Sequence, residues 1–323
     1  MDKWQLPHGK NSPDFIISGA MKSGTSTIHG ILAKHPDVYI PEQELHFFDH
    51  DNIVEHPNFQ YFNQKSKVWC SNTSAENYSD YLAWYYQQFE NARSDVLIGE
   101  DSTTYLASPT ALKRIASQNK PCKVIVMLRH PSARAYSQYW HELRAGRAIY
   151  SFEDTLQFNP NSILSRSQYL TQLRVLFQYL PRTQVKVVIF EEFIKNKRKV
   201  INNLCDFLGI DAAIITDQDL ELHENAAKLP RSIKLQLLKN SLFRQAGNIG
   251  YTHHYNQKLG KAKSTKLSAN RVINKVHSVI NPLIHKATPV MNTNTKSMLD
   301  RYFKEELAEL DDVVGHQVLA HWF

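Results

Sequence analysis

Residues 19–27 read GAMKSGTST, a glycine-rich run holding one lysine and four hydroxyl side chains. Phe15, Ile16 and Ile17 ahead of it form a short apolar β-type run, and Thr25 to Ala33 reads as a helix. A glycine turn between strand and helix exposes N–H groups to a phosphate or sulfate. Lys22 supplies a point charge, and Ser23, Thr25, Ser26 and Thr27 supply donors. The Walker A pattern wants Lys and Ser/Thr directly after its second glycine. Here Gly19 and Gly24 keep that spacing, but Thr25 and Ser26 follow and the lysine lies inside the loop. The pair that serves a β/γ-phosphate and its magnesium is therefore absent. The plain alternative is a turn that is merely rich in Gly and Ser.

Two further stretches carry candidate chemistry. In CKVIVMLRHPSARAYSQYWHELRAG, residues 122–146, an apolar strand ends in Arg129, and Ser137 lies eight residues on, in the following helix. A guanidinium at a strand end and a nearby hydroxyl can reach one phosphate, although such an arginine often just pairs with an acid. In PEQELHFFDHD, residues 41–51, Glu44 precedes Phe47 and Phe48. That apolar setting is expected to raise the carboxyl's pKa and make it a usable general base; otherwise Glu44 is a surface residue beside buried rings. His141 on the helix after Arg129 is either a packed side chain or a catalyst.

The elements that must position these residues alternate. Strand-like runs at Phe15–Ser18, Val96–Gly99, Val124–Leu128 and Val185–Phe190 are separated by helical patterns at Thr25–Ala33, Pro109–Gln118, Ala133–Ala145, Gln168–Tyr179 and Lys199–Leu208. The expected fold is α/β, one P-loop-like domain spanning 1–323, with a central parallel sheet flanked by helices. Ligands bind beyond the carboxyl ends of such strands, so the segments after Ser18, Gly99 and Leu128 are expected to share a crevice. Residues 240–295 read as irregular, and an amphipathic helix from Thr295 to Val313 closes the chain. Tyr78, Tyr81, Trp84, Tyr85 and Tyr86 read as core before stacking platform.

Composition bounds the class. At 323 residues, 42% hydrophobic and 21% charged, the chain reads as a globular protein with a full core. Cys70, Cys122 and Cys205 are scattered, which predicts free thiols in a reducing compartment. The start lacks an apolar leader and no run reaches spanning length, so the expectation is a cytoplasmic protein with no membrane partner. The net charge is +7, yet residues 225–299 hold 13 Lys or Arg and no Asp or Glu, leaving the remainder net acidic. This stretch predicts an anionic partner; the alternative is a solvated basic loop.

In order and spacing, the three stretches resemble the sulfotransferases that use 3′-phosphoadenosine 5′-phosphosulfate (PAPS), most nearly the heparan-sulfate and Golgi-type branch and its bacterial relatives. Gly19, Lys22, Gly24, Thr25 and Ser26 match that family's 5′-phosphosulfate loop, so Lys22 stands where the family has it. Arg129 and Ser137 match the 3′-phosphate motif, and Glu44 with Phe47 and Phe48 matches the segment carrying the catalytic Glu. Tyr169 in SRSQYLTQL matches a tyrosine near the adenine, and His141 matches a histidine beside the active site of the N-sulfating branch. The closing helix and Trp322 also match. The likeness covers nearly the whole chain except 225–285.

The resemblance implies sulfuryl transfer from PAPS to a hydroxyl or amine of a small-molecule or saccharide acceptor, with 3′,5′-ADP (PAP) leaving and no metal required. Lys22 and the amides around Thr25 would take the 5′-phosphate and bridging oxygen, Glu44 the acceptor's proton, and His141 would stabilise the sulfuryl oxygens or assist as a base. The departures are Asp101, where many relatives have a lysine, and a late 3′-phosphate loop of which Lys286 is the best match. Residues 225–295 would form a mobile lid or acceptor-side insertion. A P-loop small-molecule kinase is disfavoured by Lys22's position. A nucleic-acid-binding protein fits the charge but lacks interleaved aromatics and leaves Arg129 and Ser137 without a role.

Overall fold

The computed structural model describes residues 4–6, 12–55, 60–63, 67–71, 78–221, 228–243 and 269–323. The chain begins β1 (Phe15–Gly19), α1 (Thr25–Leu32), β2 (Val38–Tyr39), β3 (Gln60–Asn63), β4 (Val68–Ser71) and α2 (Tyr78–Gln87). It continues through β5 (Leu97–Asp101), α3 (Pro109–Ala116), β6 (Lys123–Leu128), α4 (Pro131–Arg144), α5 (Phe152–Phe158) and α6 (Asn161–Leu164). Next come α7 (Tyr169–Tyr179), β7 (Val185–Ile189), α8 (Phe190–Lys195), α9 (Lys197–Leu208) and α10 (Asp217–Leu220). It ends with β8 (Lys228–Pro230), α11 (Ile233–Leu242), α12 (Ala269–Ile280), β9 (Leu283–His285), α13 (Thr293–Glu306) and α14 (Leu310–Val314).

The central sheet has the order β2-β5-β1-β6-β7, and every pairing in it is parallel. Continuous apolar runs are what such strands require, because both faces are covered. In β6, Val124, Val126 and Leu128 pack into one core, while Ile125 and Met127 enter the other. The first core holds Leu112, Leu143, Leu173 and Phe303, from α3, α4, α7 and α13; the second holds Ile28 and Leu204, from α1 and α9. Burying each such side chain is worth roughly 1.5–3 kcal/mol. The fold class is therefore as expected.

Several local expectations are corrected. The closing helix is two helices, α13 and α14, broken at 307–309. The span expected to be irregular contains α12 and β9, and β9 pairs antiparallel with β8. Much of the expected lid, residues 225–227 and 244–268, lies outside the described residues. The aromatic cluster on α2 is core: Tyr81 and Tyr85 are buried, and both stack on Phe47. Cys122 and Cys205 are free and buried.

Candidate active site

Because β1, β5 and β6 run parallel, their carboxyl ends lie together and deliver three loops to one edge. The loop after β1 is held by glycines. Gly24 has φ +92°, and a Cβ there would come 2.7 Å from the Phe190 ring. Gly19 has φ +141°, and its Cβ would come 2.8 Å from the Thr103 carbonyl oxygen. Neither position admits another residue without a shift. Lys22 sits between them at φ +65°. Gly24 is the N-cap of α1, so the amides of Thr25 and Ser26 have no carbonyl one turn back to bond.

These groups line a cleft of about 1030 Å³, shared with Lys22, Thr27, Glu44, Arg129, Ser137 and His141. Burial, with help from Arg144 and Arg147, lowers the Lys22 ammonium to about 8 against the opposing pull of Glu44 and Glu142. A bound anion would restore the charge's full stability. Arg129 donates to the Lys22 carbonyl at 3.2 Å and stacks over Phe190 at 4.8 Å. Among the described residues no carboxylate lies within ion-pair distance of it, so the reading of a strand-end arginine that merely pairs with an acid does not apply.

Three expected contacts are placed elsewhere. Tyr169 is fully buried and donates from its hydroxyl to the Arg129 carbonyl at 2.9 Å; it supports the arginine from beneath, without facing the cleft. Ser23 is also buried, against Tyr169. Lys286 follows β9 on the exposed surface and is not among the cleft's lining residues, whereas Thr288–Met291, Lys197 and Lys296 are.

Glu44 heads a polar chain that the sequence did not reveal. Its carboxylate lies 2.9 Å from His46 Nε2, at ion-pair distance, and accepts from Thr103 Oγ1 at 2.8 Å. His46 Nδ1 is 2.9 Å from Thr104 Oγ1, which donates to Asp49 at 2.5 Å. With Thr104 donating onward, His46 Nδ1 is a donor, and the Glu44 carboxylate facing Nε2 favours the imidazolium form. Burial alone would lower its pKa, but Glu44, Asp49 and Glu100 outweigh this and raise it. For Glu44 the expected rise is overturned. Burial pushes upward, yet the bonds from His46 and Thr103 and the charge of Lys22 hold the carboxyl below its ordinary value. Phe47 and Phe48 turn into the core, stacking beneath α2, and do not dominate its surroundings.

His141 has the opposite character. Burial, then Lys22, Arg147 and Arg144, depress it to about 3, so it is a neutral imidazole at neutral pH. Asp101 turns away to pair with His29 Nδ1 at 3.2 Å, and burial lifts it to about 6. A second cleft of about 1140 Å³ meets the first at Met21, His141 and Arg144. Arg147 there pairs with Glu142, and Arg166 donates to the Thr104 and Glu55 carbonyls. Among the described residues the Arg144 guanidinium bonds the carbonyls of Trp140 and Lys228. His46, Asp49, Thr103, Thr104 and Arg144 are the site residues that sequence reasoning missed. The i, i+2 placement of His46 after Glu44 was their only local signal.

Comparison with known proteins gives the family and the fold. Residues 12–288 match the family model described as "Sulfotransferase domain". Over 253 residues the chain is 25% identical to human heparan sulfate glucosamine 3-O-sulfotransferase 5, covering 75% of this chain and 64% of that protein. It is 29% identical over 214 residues to human bifunctional heparan sulfate N-deacetylase/N-sulfotransferase 2, covering 61% of this chain and 22% of that one. The chain thus spans less than two thirds of these relatives' lengths. The crystal structure of a sulfotransferase from Alicyclobacillus acidocaldarius shares the fold, with a TM-score of 0.62 and 22% identity over 96% of this chain and 99% of that one. With the domain model matched over most of its length, this chain belongs to the sulfotransferase family.

Proposed function

We propose that the protein transfers a sulfuryl group from PAPS to a hydroxyl or amine of a small-molecule or saccharide acceptor, and releases 3′,5′-ADP. The observation that carries this reading is the union, in one cleft, of two separate cationic ends and a carboxylate. Lys22 and the α1 amides suit a 5′-phosphosulfate. Arg129 and Ser137 suit a second phosphate, which is what sets this donor apart from an ordinary 5′-nucleotide.

The acceptor oxygen or nitrogen forms its bond to sulfur as the bond from sulfur to the bridging phosphate oxygen breaks. Negative charge grows on that bridging oxygen, where Lys22 and the amides of Thr25 and Ser26 neutralise it. The acceptor's proton passes to Glu44, which is kept ionised by His46 and Thr103. His141 remains neutral and donates or accepts a hydrogen bond at the junction of the two clefts. The second cleft takes the acceptor, and Arg144 favours one that carries an anionic group.

The test is nucleotide discrimination, measured by calorimetry in EDTA. Arg129→Ala and Ser137→Ala should weaken 3′,5′-ADP while leaving adenosine 5′-phosphosulfate nearly unchanged. A charge-assisted contact is worth roughly 1.5–3 kcal/mol, so Arg129 should cost about tenfold or more. Equal losses for both nucleotides would remove these residues from the 3′ end, and strict dependence on a divalent metal would favour a kinase.

A further inference from the structure

The helices α11 and α12 leave aliphatic side chains in solvent and dock in part through polar ones. The inward face of α11 is mixed: Ile233 and Leu237 pack against the core beside the buried Gln236 and Asn240, and Asn240 donates to the Leu143 and Ala148 carbonyls. Its outward residues include Leu238 and Leu242, the latter 64% exposed. The second helix docks on the first through polar groups too. His277 Nε2 is 2.9 Å from Gln236 Oε1, and Asn281 exchanges hydrogen bonds with the Ser232 backbone. Val272, Val276 and Val279, spaced i, i+4 and i+7, stand outward on α12, with Val279 76% exposed. Helices at a protein surface ordinarily bury their aliphatic stripe and wet the polar one.

The charge around these faces has one sign. Lys228, Arg231, Lys234 and Lys275 are exposed, and no acid occurs anywhere from 225 to 299. Protein interfaces centre on Trp, Tyr and Arg anchors. This surface offers aliphatic side chains flanked by three lysines and one arginine, the composition that lies in the headgroup boundary of a bilayer.

We propose that the outer face of α11 and α12 rests on an anionic lipid surface, with the valines and leucines entering the headgroup boundary and the lysines meeting lipid phosphates. The expectation of no membrane partner rested on spanning length. Among the described residues no helix is long and apolar enough to cross a membrane, and lying on one requires no such helix. Arg144 of the second cleft bonds the Lys228 carbonyl at the foot of this unit, so the surface borders the acceptor side of the site.

Co-sedimentation of the full chain with vesicles tests this. Phosphatidylcholine vesicles carrying about one third phosphatidylglycerol should pellet the protein, pure phosphatidylcholine should not, and about 0.5 M NaCl should release it. Val276→Glu with Val279→Glu should weaken vesicle binding about tenfold or more at an unchanged thermal midpoint, because both side chains are solvent-exposed. If the double variant is less stable, Val279→Gln at the more exposed position replaces it. Wild-type protein left in the supernatant with anionic vesicles overturns the proposal. So does a variant that binds like wild type, and so does a dimer in light scattering that the substitutions dissolve, which would assign the face to a second copy of the chain.

Discussion

Replacing Glu44 with Gln keeps the side chain's length and one acceptor oxygen but removes its capacity to take a proton. In the folded protein that carboxylate faces two groups, His46 Nε2 at 2.9 Å and Thr103 Oγ1, which donates to it at 2.8 Å. The amide oxygen can satisfy one of them, while its NH₂ must then face the other or turn into the cleft. The pocket's shape changes little, because Phe47 and Phe48 are held in the core independently of Glu44. Loss of a positioned base costs roughly 10²–10⁴ in kcat, or about 2.7–5.5 kcal/mol of barrier. The affinity for 3′,5′-ADP should stay within a few-fold of wild type, since Lys22 and Arg129 are untouched. The assay is transfer of radiolabelled sulfate to a turned-over acceptor, with nucleotide affinity measured separately by calorimetry. His141→Ala serves as the comparison. With a pKa near 3 it is a poor base, so its loss should cost less than that of Glu44. A Glu44→Gln enzyme within a few-fold of wild type beside an inactive His141→Ala would refute the assignment and give the proton to His141.

The raised pKa of His46 makes a signed pH prediction. Stability from its charged contacts is complete below the ordinary value of 6.5 and is lost as pH rises through the higher folded value. The gap in thermal midpoint between wild type and His46→Gln should therefore be widest in mild acid and narrow on the alkaline side; a gap that widens with pH would exclude an imidazolium. Gly24→Ala forces a Cβ to within 2.7 Å of Phe190 at φ +92°, and should cost about 1–2 kcal/mol or more of stability and weaken 3′,5′-ADP. Phe190→Ala should relieve the steric part of that loss but not the backbone part. Full relief would mean that the loop's left-handed turn does not matter.

The expected parallel sheet and the glycine loop after β1 were legible because each is encoded locally. A continuous apolar run such as Val124–Leu128 is what a strand covered on both faces requires, and the observed strand differs by a single residue. Gly19, Lys22 and Gly24 lie within six residues, and Arg129 and Ser137 are joined by one strand end and one helix, so their spacing alone implies a shared edge. The corrections fall where contacts are distant along the chain. Thr103 and Thr104 meet Glu44 and His46 across 59 and 58 residues, and nothing in either segment names the other. For that reason the carboxyl's pKa was expected to rise from its phenylalanine neighbours, whereas the fold supplies a histidine, a threonine and a lysine that lower it. Tyr169 was read toward the nucleotide, but the packing of α7 turns its hydroxyl under Arg129. The exposed aliphatic faces of α11 and α12 were likewise invisible, since periodicity reports that a helix is two-sided but not which side the rest of the protein covers. Local residues determined which groups this chain has for binding an anion. Tertiary packing decided which of them are charged and which face the cleft, because desolvation and long-range hydrogen bonds exist only once the chain has folded.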